Sequence, residues 1–338
     1  MDGALKLDPD STKVLARLDG PGIPQCADMT PEQARAWMNA FMADMQLDPL
    51  PEVAAVEMLD ATGPEPGSTV PIRLYRPKDA GAGALPIPGA KALPIPGAKT
   101  LPIMVFFHAG GYVFGDLDGM ESFCRLMCRE AGCLVASVDY RLAPEGKFPA
   151  AHEDAYAATC WIAENAAAIG ADPARIAVAG NSSGGTLAIS VAALARMRGG
   201  PAICQQMLWY PGVGSAGDTE SMKQLSEGYF LTARLMKRSM GHYLNDPSEL
   251  ENPLIQPLRC EDVSGLPPMF LMTAGFDPRR DDNKIYADRL AAAGVSTEFR
   301  RLDSIHGFMF MLAGIPAAVD AAVESAHYLR DVFARLGT

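Results

Sequence analysis

Across most of this 338-residue chain, short apolar runs alternate with longer helical stretches. Nothing else in the sequence limits the fold so strongly. After two β-like stretches at 53–59 and 70–75, strands are predicted at 103–107, 133–138, 175–179, 206–210, 269–273 and 296–302. The run Ile103-Met104-Val105-Phe106-Phe107 is apolar at every position, as a strand buried on both faces must be. Helices are predicted between and after the later strands, at 120–131, 153–169, 183–197, 282–293 and 317–336. Repeated β-α-β units of this kind imply a mostly parallel sheet covered by helices.

Two stretches do not fit the alternation. Residues 1–50 are rich in Met and Ala, with a helix predicted after Thr30: Thr30 suits the N-cap, Pro31 the first helical position, and Gln33 completes a capping box. Residues 214–258 read as short helices and loops. Both are expected to form a cap over the carboxyl edge of the sheet, where open α/β sheets place their sites. The catalytic domain would then comprise 51–213 and 259–338. Inside its first part lies an eight-residue tandem repeat, Leu85-Pro86-Ile87-Pro88-Gly89-Ala90-Lys91-Ala92 and Leu93-Pro94-Ile95-Pro96-Gly97-Ala98-Lys99-Thr100. Its prolines cannot donate to a β-ladder. Residues 78–100 are therefore expected to be a surface loop, with the strand starting at the third Leu-Pro-Ile, residues 101–103.

Composition narrows the functional classes. The chain is 49% hydrophobic and 20% charged, ordinary globular values. Its net charge of −11 gives a nucleic-acid partner little electrostatic support. No stretch reaches 18 uninterrupted apolar residues, and the amino terminus lacks the apolar core of a signal peptide. The expectation is a cytoplasmic protein without stable membrane association. Seven scattered cysteines follow no disulfide or metal spacing; the cluster Cys124, Cys128 and Cys133 reads as small buried apolar residues.

Four elements carry chemistry. The predicted strand 175–179 runs into Gly180-Asn181-Ser182-Ser183-Gly184-Gly185, followed by a helix, the setting a G-x-S-x-G nucleophile elbow requires. Glycine flanks the frame centred on Ser182, whereas a frame on Ser183 would put Asn181 where the first glycine belongs. Ser182 is the candidate nucleophile, and Ser183 is left to offer its backbone N–H. His108-Ala109-Gly110-Gly111 directly follows a strand and is like the H-G-G-G loop that supplies oxyanion-hole donors. Asp277 follows strand 269–273 and His306 follows strand 296–302, so Ser182, Asp277 and His306 stand in the order Ser…Asp…His, each just past a strand end. Of the other histidines, His152 and His327 are expected on helix surfaces, and His242 falls in the 214–258 segment.

These blocks, together with Gly115-Asp116, Tyr140-Arg141-Leu142-Ala143-Pro144-Glu145, Phe148-Pro149-Ala150-Ala151 and Asp277-Pro278-Arg279-Arg280-Asp281, make residues 70–335 resemble the hormone-sensitive-lipase-like, or bacterial family IV, carboxylesterases. The resemblance implies an α/β-hydrolase fold: a mostly parallel eight-stranded central sheet flanked by helices, with a helical cap. It further implies hydrolysis of short- to medium-chain carboxylic esters without cofactor or metal. The family's oxyanion donors map to Gly110, Gly111 and Ser183, with His108 supporting the loop. Ala109 departs from the family's first loop glycine, Asn181 from its usual Asp, Ser183 from its Ala and Arg279 from its Leu. A small-molecule ester is the expected partner, and both monomer and homodimer are open. The same three residues also serve amide deacetylases, lactonases and acyltransferases. A non-catalytic receptor of the kind that resembles this family in plants, having lost the histidine, is disfavoured because His306 is present. Trp37, Phe41, Tyr229 and Phe230 are expected to wall a closed pocket for acyl chains of roughly C2 to C6.

Overall fold

The computed structural model describes residues 5–18, 22–78 and 100–337. Among them, eight strands form one sheet in the order β1-β2-β4-β3-β5-β6-β7-β8. They are β1 (Ala55–Thr62), β2 (Thr69–Arg76), β3 (Leu101–Phe107), β4 (Leu134–Val138), β5 (Ala171–Asn181), β6 (Ile203–Trp209), β7 (Met269–Phe276) and β8 (Thr297–Ile305). β2 runs antiparallel to β1 and β4, and every other pairing is parallel. From Ile103 to Phe107, β3 is fully buried. Such burial contributes about 1.5–3 kcal/mol for each large side chain. β3 begins at Leu101, the third Leu-Pro-Ile, and every residue of the eight-residue repeat except Thr100 lies outside the described residues.

The helices are α1 (Pro9–Leu18), α2 (Pro31–Asp44), α3 (Glu121–Ala131), α4 (Ala150–Glu164), α5 (Ala166–Ile169), α6 (Ser183–Arg198), α7 (Glu220–Leu225), α8 (Ala233–Tyr243), α9 (Arg280–Ala292) and α10 (Pro316–Leu336). The Thr30 capping box forms as expected: Thr30 Oγ1 accepts from Gln33 N, and the Gln33 side chain accepts from Thr30 N. α1 is an addition to the sequence reading. Pro9 opens it, and Asp8 accepts the Ser11 N–H at 2.9 Å, as an N-cap does. The helix expected at 153–169 is two pieces broken at Asn165, whose side chain bonds back to Trp161 O at 2.8 Å. β5 is six residues longer than the strand read from the sequence: four precede it, where Asp172 to Ala174 are exposed or half-exposed, and the buried Gly180 and Asn181 extend its carboxyl end.

Residues 5–50 and 214–258 contribute no strand, and they touch one another. Arg234 on α8 pairs with Asp28, and Arg238 donates to Met29 O at 2.7 Å. α2 also braces the loop after β3. Arg35 donates to Val113 O at 2.7 Å, and Asn39 spans Asp116 Oδ2 (2.7 Å) and Gly115 N (3.2 Å). No helix among the described residues is long and apolar enough to cross a membrane. The seven cysteines are free thiols; Cys124, Cys128 and Cys133 are buried, and desolvation raises each of their pKa values.

Candidate active site

β5 ends at Asn181 and α6 begins at Ser183, so Ser182 alone makes the turn between them. It does so with φ 53° and ψ −121°, a backbone state that costs a residue with a side chain about 1–3 kcal/mol. Its neighbours hold it there. Ser182 N donates to Trp209 O at 3.0 Å, and Ser182 O accepts from Gly212 N at 3.2 Å. The elbow glycines answer to close approach. A Cβ on Gly180 would stand 2.1 Å from Gly184 O, and one on Gly184 would stand 2.0 Å from Phe107 O. Ser183, by contrast, is an ordinary first helical residue whose N–H has no partner within the helix.

Parallel register brings the other two side chains alongside. Phe276 pairs with Ile305, so the residues that follow them, Asp277 and His306, leave adjacent strands together. His306 Nδ1 lies 2.7 Å from Asp277 Oδ2 and His306 Nε2 lies 2.8 Å from Ser182 Oγ. The second Asp277 oxygen accepts the Arg279 N–H at 2.8 Å. Asp277 is fully buried and His306 is 4% exposed. A carboxylate only accepts, so Nδ1 carries the proton and Nε2 presents its lone pair to the Ser182 hydroxyl.

Gly110 and Gly111 face the same space. Gly110 adopts φ +136°, and a Cβ there would fall 1.8 Å from Phe114 O, so only glycine fits this tight loop. His108 underpins it: Nδ1 donates to Ala109 O at 2.8 Å, the ring stacks on Tyr140 at 4.4 Å, and Tyr140 donates to His108 O at 2.7 Å. Complete burial lowers the His108 pKa. Ser182, Ser183, His306, Gly110 and Gly111 line one cavity of about 390 Å³, within the usual size of small-molecule sites. Leu235, Met236 and Met240 of α8 close it from the other side.

The family model described as "alpha/beta hydrolase fold" matches residues 104–310. The chain is 41% identical over 294 residues to the carboxylic ester hydrolase LipN of Mycobacterium tuberculosis, spanning 84% of this chain and 72% of that protein. This chain belongs to the α/β-hydrolase family. It falls on the hormone-sensitive-lipase-like branch, which its sequence blocks resemble. It is also 37% identical to an arylesterase of Saccharolobus solfataricus, over 68% of this chain and 75% of that one. Among solved structures, an ester hydrolase from the Lake Arreo metagenome superposes with a TM-score of 0.88 at 34% identity, covering 98% of this chain and 100% of that one. A hyperthermophilic esterase of Pyrobaculum calidifontis gives 0.84 at 33%, covering 96% and 98%.

Two expectations about this hydrolase need correction. His152 is not on a helix surface; it is wholly buried. Nε2 donates to Leu254 O at 3.1 Å and Nδ1 accepts from the Tyr243 hydroxyl at 2.7 Å. Tyr243 stacks at 4.1 Å on Tyr112, the residue after Gly111. His152 thus ties the 214–258 segment to the glycine loop, and burial pushes its pKa down to about 4. His327 does lie at the surface of α10. Nor do all four expected aromatic residues wall the cavity. Phe230 lines it, but Phe41 stacks on Trp37 at 5.9 Å and Tyr229 packs on Phe276 at 5.5 Å. Asn39 and Arg35, which brace the glycine loop, escaped the sequence reading, because an Asn or Arg on a helix carries no local sign of a partner 77 or 78 residues away.

Proposed function

We propose that this chain is a serine carboxylesterase that hydrolyses short- to medium-chain carboxylic esters through an acyl-enzyme. A carboxylic ester hydrolase is what its kinship supports, at about 40% identity over most of its length. The observation that carries the mechanism is the hydrogen-bond chain from Ser182 Oγ through His306 to Asp277, at 2.8 and 2.7 Å, on the wall of an apolar cavity. Ser182 attacks the ester carbonyl while His306 Nε2 takes its proton. Asp277 fixes the tautomer and stabilises the imidazolium that forms. The N–H groups of Gly110, Gly111 and Ser183 receive the oxyanion, each donor being worth about 10²–10³ in rate. His306 then protonates the departing alcohol, and water attacks the acyl-enzyme with His306 again as base. Residues 1–50 and 214–258 act as the cap that encloses the ester.

A p-nitrophenyl ester series tests this reading. Esters of C2 to C6 acids should turn over faster than those of C12 or C16 acids. Ser182→Ala should lower kcat by up to about 10⁶, as in other serine triads. Faster C12 than C4 turnover would contradict the size assignment, and an active Ser182→Ala enzyme would contradict the mechanism.

A further inference from the structure

The cavity wall is mostly apolar, yet among the described residues that line it stand two cations, Arg279 and Lys237, and no carboxylate. Since the whole chain carries a net charge of −11, any attraction for an anionic ligand has to be local. Lys237 lies exposed on α8. Arg279, at the start of α9, is withdrawn, with 21% of its side chain exposed. Its Nη1 donates to Gly214 O at 2.6 Å. Nη1 also forms a loose ion pair with Asp282 Oδ2 at 4.0 Å, beyond hydrogen-bond reach. Asp282 is fully buried, does not line the cavity, and spends one oxygen on Ala216 N at 2.9 Å. Most of the five guanidinium N–H donors thus lack a protein acceptor. Gly214, Ser215 and Gln256 adjoin Arg279 on the wall and make that corner polar.

A neutral alkyl chain filling this corner would strip water from a cation and return no hydrogen bond, which is unfavourable. A carboxylate would match the planar fork of donors. We propose that Arg279 is a specificity residue that favours esters bearing a second, anionic group: half-esters of dicarboxylic acids, with the free carboxylate against Arg279 and the ester carbonyl at Ser182. This rests on the reading of Ser182 as the esterase nucleophile. If Arg279 served only to tie Gly214 to α9, its loss would affect neutral and anionic esters alike.

The test compares kcat/KM for the monoethyl and diethyl esters of succinate, adipate and suberate in the wild type, Arg279→Met and Arg279→Lys. The half-ester to diester ratio, at the best chain length, should fall at least tenfold in Arg279→Met, chiefly through KM, and be largely kept in Arg279→Lys. A ratio that moves less than twofold in Arg279→Met overturns the proposal. Calorimetry on Ser182→Ala covers the case in which Arg279→Met does not fold. Monoethyl adipate should bind that protein at least fivefold more tightly than diethyl adipate; equal or weaker binding overturns the proposal. Preferential half-ester binding by Ser182→Ala, in a wild type that turns over neither ethyl esters nor p-nitrophenyl butyrate, would support the anion site and sink the esterase reading instead. Turnover of p-nitrophenyl butyrate without any half-ester preference would sink only the role of Arg279.

Discussion

His306 and His152 are both buried, and each uses both ring nitrogens in hydrogen bonds, yet their surroundings fit them for opposite work. His306 faces the Asp277 carboxylate on one side and the Ser182 hydroxyl on the other. His152 faces the Leu254 carbonyl and the Tyr243 hydroxyl. A carboxylate stabilises an imidazolium, so a ring beside one can take up a proton during a reaction. A carbonyl and a phenol do not offset the desolvation of a charged ring, and the His152 pKa falls to about 4. In the proposed mechanism His306 changes protonation state at each step, while His152 stays neutral and holds α8 and the 250s against the glycine loop. Burial alone does not fit a histidine for proton transfer; the charge of its partner does.

Among changes to the surroundings of the two histidines, the largest effect should come from making the two corners alike. Asp277→Asn replaces the carboxylate with an amide that favours the wrong tautomer of His306, and kcat should fall about 10⁴-fold, as in the analogous protease change. Steady-state kinetics on a short ester would read this; a loss under tenfold would mean that the carboxylate does not distinguish the corners. His152→Ala should act mainly on stability. It leaves the buried Tyr243 hydroxyl without its acceptor, at about 1–3 kcal/mol, while Leu254 O keeps its bond from Ser190 Oγ at 2.8 Å. Denaturant titration should show that loss, with kcat per folded molecule lowered less than tenfold.

A smaller, directional effect comes from pH. The native pKa of His152 lies below its ordinary value of 6.5, at about 4. Between those values the unfolded chain takes up a proton that the native protein refuses, so native stability declines as pH falls through that window. The full contribution is about 3 kcal/mol. In His152→Gln this share of the acid dependence should be absent, and the gap between wild type and variant should narrow from pH 7 to pH 4. A gap that widens would reverse the sign and contradict a neutral His152. The smallest effect is expected at Ser183, whose proposed role is its backbone N–H. Ser183→Ala should keep kcat/KM for a short ester within about threefold, because a main-chain donor survives a side-chain change.

What could be read from the sequence divides along the same line. Ser182, Asp277 and His306 each stand just past a strand end, and parallel register converts that local fact into proximity. The glycines at 180 and 184 were legible because only close backbone approach demands them in that frame. The surroundings of His152 were hidden, since its partners lie 91 and 102 residues away, in a segment that contributes no strand. The Ala-rich sequence around it in α4 gives no clear buried face. Trp37 and Phe41, large aromatic residues expected at the cavity, stack on each other instead of walling it. The break at Asn165 also lay beyond reach, because helical periodicity continues through it.

In the proposed mechanism Ser182, activated by His306, becomes acylated. The most direct measurement is active-site labelling with a fluorophosphonate, followed by mass spectrometry of the modified peptide. One label per chain is expected, on Ser182, with labelling rates that collapse in His306→Ala and hold in Ser183→Ala. A label on Ser183, or full ester turnover in a chain whose Ser182 cannot be labelled, would contradict that mechanism.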